Sequence, residues 1–250
     1  MLQLYNGLIG HTENKINLHW FDSDSENLYN KNLILYADNW YYKNAKLSYQ
    51  LNEYGHRSKD TANLNYDDYI LFLGCSITFS IGLELEKTYP FLLSQLLKKD
   101  YYNLSVAGTG NDVIAHNLIV WLTNHKKPKL IVLQLTDRSR FLLKTTELIR
   151  CGIWSEELQK FVVLGEEINY FHTKNFMLFN LLQSINIPII TIHPAGLDSE
   201  VKEMISTNSL RYHLLDYARD INFYNQGGHP GIETHNEIAN NILRIINVNS

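Results

Sequence analysis

Ser76, Gly108 and His229 lie far apart in the chain, yet their types suit one reaction. Ser76 follows the apolar run "YILFLGC", where a buried strand would end. A serine hydroxyl is a weak nucleophile until a base takes its proton. His229 stands in a Gly-Gly-His-Pro-Gly turn and can take that proton near neutral pH. Asp220 or Asp216 is available to orient the imidazole, as the acid of a triad does. Gly108, in "SVAGTGND", permits a backbone turn whose N–H can meet a developing oxyanion. Asn111 and Thr136 offer further polar groups at later turns.

Each of these residues also has a plainer role. Ser76 on its own reads more commonly as a turn serine or helix cap, and Asn111 equally as a cap. Cys75 is a rival nucleophile, but it reads best as a small core residue with no neighbouring cations to lower its pKa. Asp137 follows Thr136 at the same turn. Arg138 and Arg140 suit either an anionic substrate group or a surface ion pair. His235 reads as a helix residue. A metal site from His193, His229, His235 and Asp220 lacks any tight ligand spacing such as HExxH, so no metal is expected. "SVAGTGND" also lacks a full GxGxxG and a Walker lysine, so it is not read as a nucleotide loop, and no cofactor is expected.

These residues need a scaffold that presents strand ends together. From Tyr69 onward, short apolar runs alternate with helical spacing. "YILFLG", "YYNLSV", "KLIVLQL" and "IPIITIH" read as strands, the first, third and last of them as buried core strands. "TYPFLLSQLLKK", "NDVIAHNLIVWLTNH", "NYFHTKNFMLFNLLQSI" and "HPGIETHNEIANNILRII" read as helices, and "KFVVLGEE" as a further strand. The alternation predicts an α/β fold: a three-layer α/β/α sandwich on a mainly parallel, flavodoxin-like sheet. Ligands of such sheets bind at the carboxyl ends of the strands. Residues 1–66 are rich in Asn, Tyr and Asp and predict an irregular or β-rich extension packed on a main domain of residues 67–250.

Composition narrows the function classes. A hydrophobic share of 45% and a charged share of 19% over 250 residues suit a packed core rather than a disordered chain. The net charge of −4 gives no basic footprint for nucleic acid. Two cysteines, Cys75 and Cys151, make neither a disulfide framework nor a zinc pattern. The first residues lack a signal-peptide pattern, and no run approaches the roughly 20 apolar residues of a membrane span. The expectation is a cytoplasmic protein without a membrane or nucleic-acid partner; nothing in the sequence speaks to its oligomeric state.

In order, "LGCSITFSIGL", "NLSVAGTGND", "IVLQLTDRSR" and "GGHPGIETH" resemble the SGNH (GDSL-like) hydrolases over roughly residues 69–246. "YQLNEYGHRSKD" is similar to the Asn-x-x-Gly-x-Arg segment that often precedes the domain in bacterial and phage members. The resemblance implies Ser76 as nucleophile, Gly108 and the Ser76 N–H as oxyanion donors, and His229 as base. The implied activity is a serine esterase on a small-molecule or carbohydrate ester, with an O-acetylated carbohydrate as the leading substrate. A silent glycan-binding domain and an O-acyltransferase are the alternatives. Two positions depart from the family pattern. Thr136 stands where an oxyanion Asn is usual, with Asn111 as a candidate substitute. Gln226 stands three residues before His229, where the family has Asp. Either Asp220 serves through a longer loop, or the imidazole is held by a backbone carbonyl.

Overall fold

The computed structural model describes residues 4–5, 17–36, 40–136, 140–144, 148–152, 156, 177–194, 209–222 and 227–248. Its centre is a parallel sheet of five strands: β3 (Tyr69–Leu73), β4 (Asp100–Asn103), β5 (Leu130–Gln134), β8 (Ile189–Pro194) and β9 (Ser209–Tyr212). They run in the order β4-β3-β5-β8-β9, with Leu71 opposite Tyr102 on one side and Ile131 on the other. Numbered within the sheet, this is the 2-1-3-4-5 order of flavodoxin-like folds. The chain moves outward from β3 to β4 and returns to β5 on the far side of β3. The strand ends of β3 and β5 therefore flank the topological switch point, where ligands of such sheets bind.

Alternation along the strands produces two cores. Leu71, Leu73, Ile131 and Leu133 face α4 (Asn111–Asn124) and helical residues 177–184, meeting Leu118, Trp121, Leu178 and Leu182. Ile70, Phe72 and Val132 face α3 (Tyr89–Leu97) and α5 (Ile232–Val248), meeting Tyr89, Leu93, Ile238 and Ile242. All five β3 residues are buried, as a strand covered on both faces must be. Helix α3 starts where Thr88 accepts a hydrogen bond from the Phe91 N–H and ends at Lys98 in the left-handed conformation.

The sequence pattern yields four strands of this sheet, and the structure adds β9 at its edge. Ser209-Leu210-Arg211-Tyr212 has no apolar run, because an edge strand is covered on fewer sides. After β5, β6 (Phe141–Lys144) and β7 (Leu148–Cys151) form an antiparallel pair. The strand read at "KFVVLGEE" and the first part of the helix read at "NYFHTKNFMLFNLLQSI" lie outside the described residues.

The N-terminal segment contains α1 (Glu26–Tyr36), where the composition suggested irregular or β structure. Its strands are two-residue pieces, β1 (Asn17–Leu18) against β2 (Tyr49–Gln50). Leu47, Tyr49 and Leu51 bury against Phe79, Ile81 and Ala107 of the main fold. Between β3 and α3 stands α2 (Ser76–Phe79). Among the described residues, no helix is long and apolar enough to cross a membrane.

Candidate active site

The loops that carry the predicted residues are stitched together at the carboxyl ends of the strands. The Val106 N–H donates to the Gly74 carbonyl at 3.2 Å, joining the turns after β4 and β3. The Cys75 N–H donates to Gln134 Oε1 at 3.0 Å, joining the turns after β3 and β5. Ser76 is the first residue of α2 and is 5% exposed. At that position the backbone N–H has no acceptor within the helix. Among the described residues neither it nor the Gly108 N–H has a hydrogen-bond acceptor. Gly108 has φ 72°, a left-handed turn that glycine adopts without steric cost.

Asn111 does not cap α4: Gly110 holds the cap position and Asn111 is the first helical residue. Its side chain instead reaches the tip of β5. Asn111 Oδ1 accepts from the Thr136 N–H at 3.1 Å and from Thr136 Oγ1 at 3.4 Å. Its Nδ2 approaches the Thr136 carbonyl at 3.5 Å. The two residues that stood as separate candidates in sequence are thus one hydrogen-bonded unit. Arg140 Nη1 contacts Cys75 Sγ at 2.6 Å, and Cys75 Sγ lies 3.5 Å from Ser76 Oγ. Cys75 is 1% exposed and packs as a core residue. Arg140 thereby places a cation on Cys75, beside the Ser76 turn, where the sequence around Cys75 suggested none, because the two residues meet only in the fold. Asp137 and Arg138 lie outside the described residues.

His229 meets Asp220. Its Nδ1–H donates to Asp220 Oδ2 at 2.6 Å, and its backbone N–H donates to Asp220 Oδ1 at 3.1 Å. The acid lies nine positions before the histidine rather than three. A short antiparallel ribbon makes the longer spacing work. Asn222 and Gly227 exchange backbone hydrogen bonds at 2.6 and 3.2 Å, and the Ala218 N–H donates to the His229 carbonyl at 2.8 Å. The ribbon folds His229 back onto Asp220. Gln226 lies outside the described residues. Asp216 has a different role: its carboxylate accepts from the backbone N–H groups of Glu233 and Thr234 at 3.0 and 2.9 Å, satisfying the start of α5.

The Asp220 carboxyl is buried, which disfavours its charge, but His229 and a hydrogen bond from Ser23 outweigh that cost and hold its pKa below the ordinary value. Ser23 Oγ–H donates to Asp220 Oδ2 at 2.6 Å and lies 3.4 Å from His229 Nδ1. Nothing in "FDSDSEN" announces this residue: it comes from the N-terminal segment and meets the site only through folding.

The segment carrying Asp220 is gripped from several sides. Arg219 Nε and Nη2 donate to Asp24 Oδ1 and Oδ2 at 2.8 and 2.6 Å, with both side chains buried. Asn32 Nδ2 of α1 donates to the Ile221 carbonyl at 2.8 Å. The Arg219 guanidinium lies over the Trp20 ring at 4.2 Å. The Arg219 N–H donates to the Gly82 carbonyl at 3.1 Å, which ties this segment to the loop after Ser76. At Gly82 (φ 79°) an added Cβ would lie 2.8 Å from the Ala218 Cβ, so the close approach depends on glycine. Among the described residues, Ser76 Oγ and His229 make no hydrogen bond to each other, a gap common in unliganded sites.

The Asn-x-x-Gly-x-Arg segment braces the same loop. Asn52 Oδ1 accepts from the N–H groups of Tyr54 and His56, and Gly55 takes φ 69°. Arg57, fully buried, donates to the carbonyls of Phe79, Ser80 and Leu83 at 3.2, 2.6 and 2.6 Å. His235 is fully buried and accepts from the Tyr89 N–H at 3.0 Å through Nδ1. His193 lies near the end of β8, 4% exposed. Among the described residues, no group of three or more His, Cys, Asp or Glu is placed to hold a metal ion.

No protein-family model matches the chain, and no curated protein matches it in sequence. Solved structures do match in shape. One is an acetyl xylan esterase from the rumen bacterium Butyrivibrio proteoclasticus, at 16% identity and TM-score 0.48, covering 72% of this chain and 63% of that one. A psychrotrophic esterase from Pseudoalteromonas sp. matches at 16% identity and TM-score 0.47, covering 74% and 100%. A family two carbohydrate esterase from Clostridium thermocellum, solved in complex with cellohexaose, matches at 15% identity and TM-score 0.44, covering 80% and 67%. The chain thus spans less than two thirds of the length of the acetyl xylan esterase.

Proposed function

We propose that the chain is an SGNH-type serine esterase that removes an O-acyl group, acetyl foremost, from a carbohydrate. The observation that carries the reading is the His229–Asp220 pair at 2.6 Å, on a segment tied by the Arg219 N–H to the Gly82 carbonyl in the loop after Ser76. A buried carboxylate on Nδ1–H fixes the tautomer with the lone pair on Nε2, the form that accepts a proton from a serine. Ser76 Oγ attacks the acyl carbon while its proton passes to His229 Nε2. The oxyanion takes hydrogen bonds from the N–H groups of Ser76 and Gly108. The Asn111 amide, whose oxygen takes up the Thr136 N–H and hydroxyl, supplies the amide donor that Thr at position 136 replaces. His229 then protonates the leaving alcohol, and water releases the acyl group by the reverse proton path.

The carbohydrate is the finest part of the proposal. Its support in this chain is compositional: 16 Tyr and 4 Trp, side chains with apolar faces suited to a sugar ring.

Turnover of short acetyl esters and of acetylated oligosaccharides by wild type and Ser76→Ala tests the reading, together with labelling by a fluorophosphonate. The expected result is labelling at Ser76 and a loss of at least about 1,000-fold in kcat for the variant. Equal turnover by the two proteins removes Ser76 from the mechanism. Sugar binding without labelling or turnover supports the silent binding domain instead.

A further inference from the structure

We infer that Ser23 is a positioning residue for the His229–Asp220 pair, so that the N-terminal segment completes the acid–base half of the site. Its part in turnover rests on the esterase reading; its hold on the imidazole does not.

Ser23 is presented by a tight turn. Phe21 and Asp24 exchange backbone hydrogen bonds at 2.9 and 3.1 Å, and Asp22 takes φ 56°. Two consecutive side chains of this turn meet two consecutive side chains of the other segment. Ser23 bonds Asp220 while Asp24 bonds Arg219 at both carboxylate oxygens. The Asp24–Arg219 pair is buried, and Tyr49 Oη–H donates to Asp24 Oδ2. Breaking such a pair leaves a charge without its partner in a dry site, so the register between the segments is strongly held. With Asp24 seated on Arg219, Ser23 is delivered to Asp220.

The contact acts on the oxygen that matters. Asp220 Oδ2 accepts both the His229 Nδ1–H and the Ser23 hydroxyl, while Oδ1 accepts the His229 backbone N–H. The three donors leave the carboxylate no freedom to rotate. A second donor on Oδ2 also lowers its basicity, which keeps the shared proton on Nδ1. Ser23 itself is exposed, so its hydroxyl contributes no core packing that would explain its placement.

The test uses the full-length 15N-labelled protein as wild type, Ser23→Ala and Ser23→Thr, with His229→Gln to assign the imidazole. The readouts are the His229 Nδ1 proton resonance and its exchange with water, alongside kcat and KM on a short acetyl ester. In Ser23→Ala the Nδ1 proton is expected to move upfield and exchange faster. Its kcat should fall about 10-fold, less than the ~100-fold cost of an ångström-scale displacement, with KM unchanged. Ser23→Thr restores the resonance and kcat. A Ser23→Ala protein with the wild-type resonance, exchange rate and kcat overturns the inference. If Ser76→Ala turns over like wild type, the esterase reading fails, yet a displaced Nδ1 resonance in Ser23→Ala still supports Ser23 as the residue that positions the pair.

Discussion

The two halves of the candidate site are built differently. The acid–base half, His229 with Asp220 and Ser23, is held by short side-chain hydrogen bonds and backed by the buried Asp24–Arg219 pair. The nucleophile half, Ser76 with Gly108, Asn111 and Thr136, is held mainly through backbone turns at strand ends. Its braces are polar groups reaching backbone atoms: Gln134 to the Cys75 N–H, Arg57 to the carbonyls of Phe79, Ser80 and Leu83. The contrast suits the work proposed for each half. A base must keep one tautomer and one orientation, which takes a carboxylate. An oxyanion hole needs N–H groups that have no other acceptor, which takes turns.

Removing the carboxylate should hurt most. Asp220→Asn keeps the shape but permits the other tautomer, and kcat for acetyl-ester hydrolysis is expected to fall on the order of 10,000-fold. A variant within tenfold of wild type would mean that the acid–base half is only structural. On the other half, Asn111→Ala should cost about 100-fold in kcat with little change in KM, as for loss of one oxyanion donor. Unchanged kcat would leave the Ser76 and Gly108 N–H groups as the whole oxyanion site.

Acid should separate the halves more gently. Burial lowers the pKa of His56 to about 4 and of His235 to about 3, the latter helped by the charges of Arg57 and His229. Both histidines support the nucleophile half: His56 precedes Arg57, and His235 holds the Tyr89 N–H behind the Thr78 hydroxyl of α2. A depressed histidine pKa gives stability that is complete above the ordinary value near 6.5 and is lost as pH falls toward the folded pKa. Asp220 is also depressed, but from a carboxylate value near 4, so its contribution disappears only below that. Between pH 6.5 and 4, unfolding free energy should fall by up to about 1.4 kcal/mol per pH unit for each histidine. Amide protection factors, which take out the fall of intrinsic exchange in acid, should drop first around residues 76–89 and later around 218–229. Simultaneous loss would mean that the halves are one cooperative unit.

Much of the fold is legible without coordinates. The runs at 69–73 and 130–133 are apolar on both faces and the run at 189–194 is buried at its four central residues, because a central parallel strand is covered on both sides. β9 escapes such reading, since an edge strand needs no apolar run. Ser76 and Gly108 are legible for a related reason: they follow strand ends, where chain order already implies proximity, and His229 is legible from its Gly-rich turn before the last helix. The acid was readable only as a choice between Asp220 and Asp216. Counting back from His229 cannot decide it, because the ribbon through Asn222 and Gly227 changes which residue lies opposite the imidazole.

By itself, then, the sequence determined the parallel α/β sheet, the strand-end position of Ser76, Gly108 and Thr136 and the turn of His229 before the last helix, because burial and turn chemistry are local properties of the chain. Only the tertiary structure decided that Asp220 meets His229 while Asp216 caps α5, that Asn111 bonds Thr136 rather than capping α4, and that Ser23 joins from near the opposite end of the chain. These are pairings between polar side chains distant in sequence. Their energy appears only when the backbone brings them within hydrogen-bond distance, and no local pattern encodes that distance.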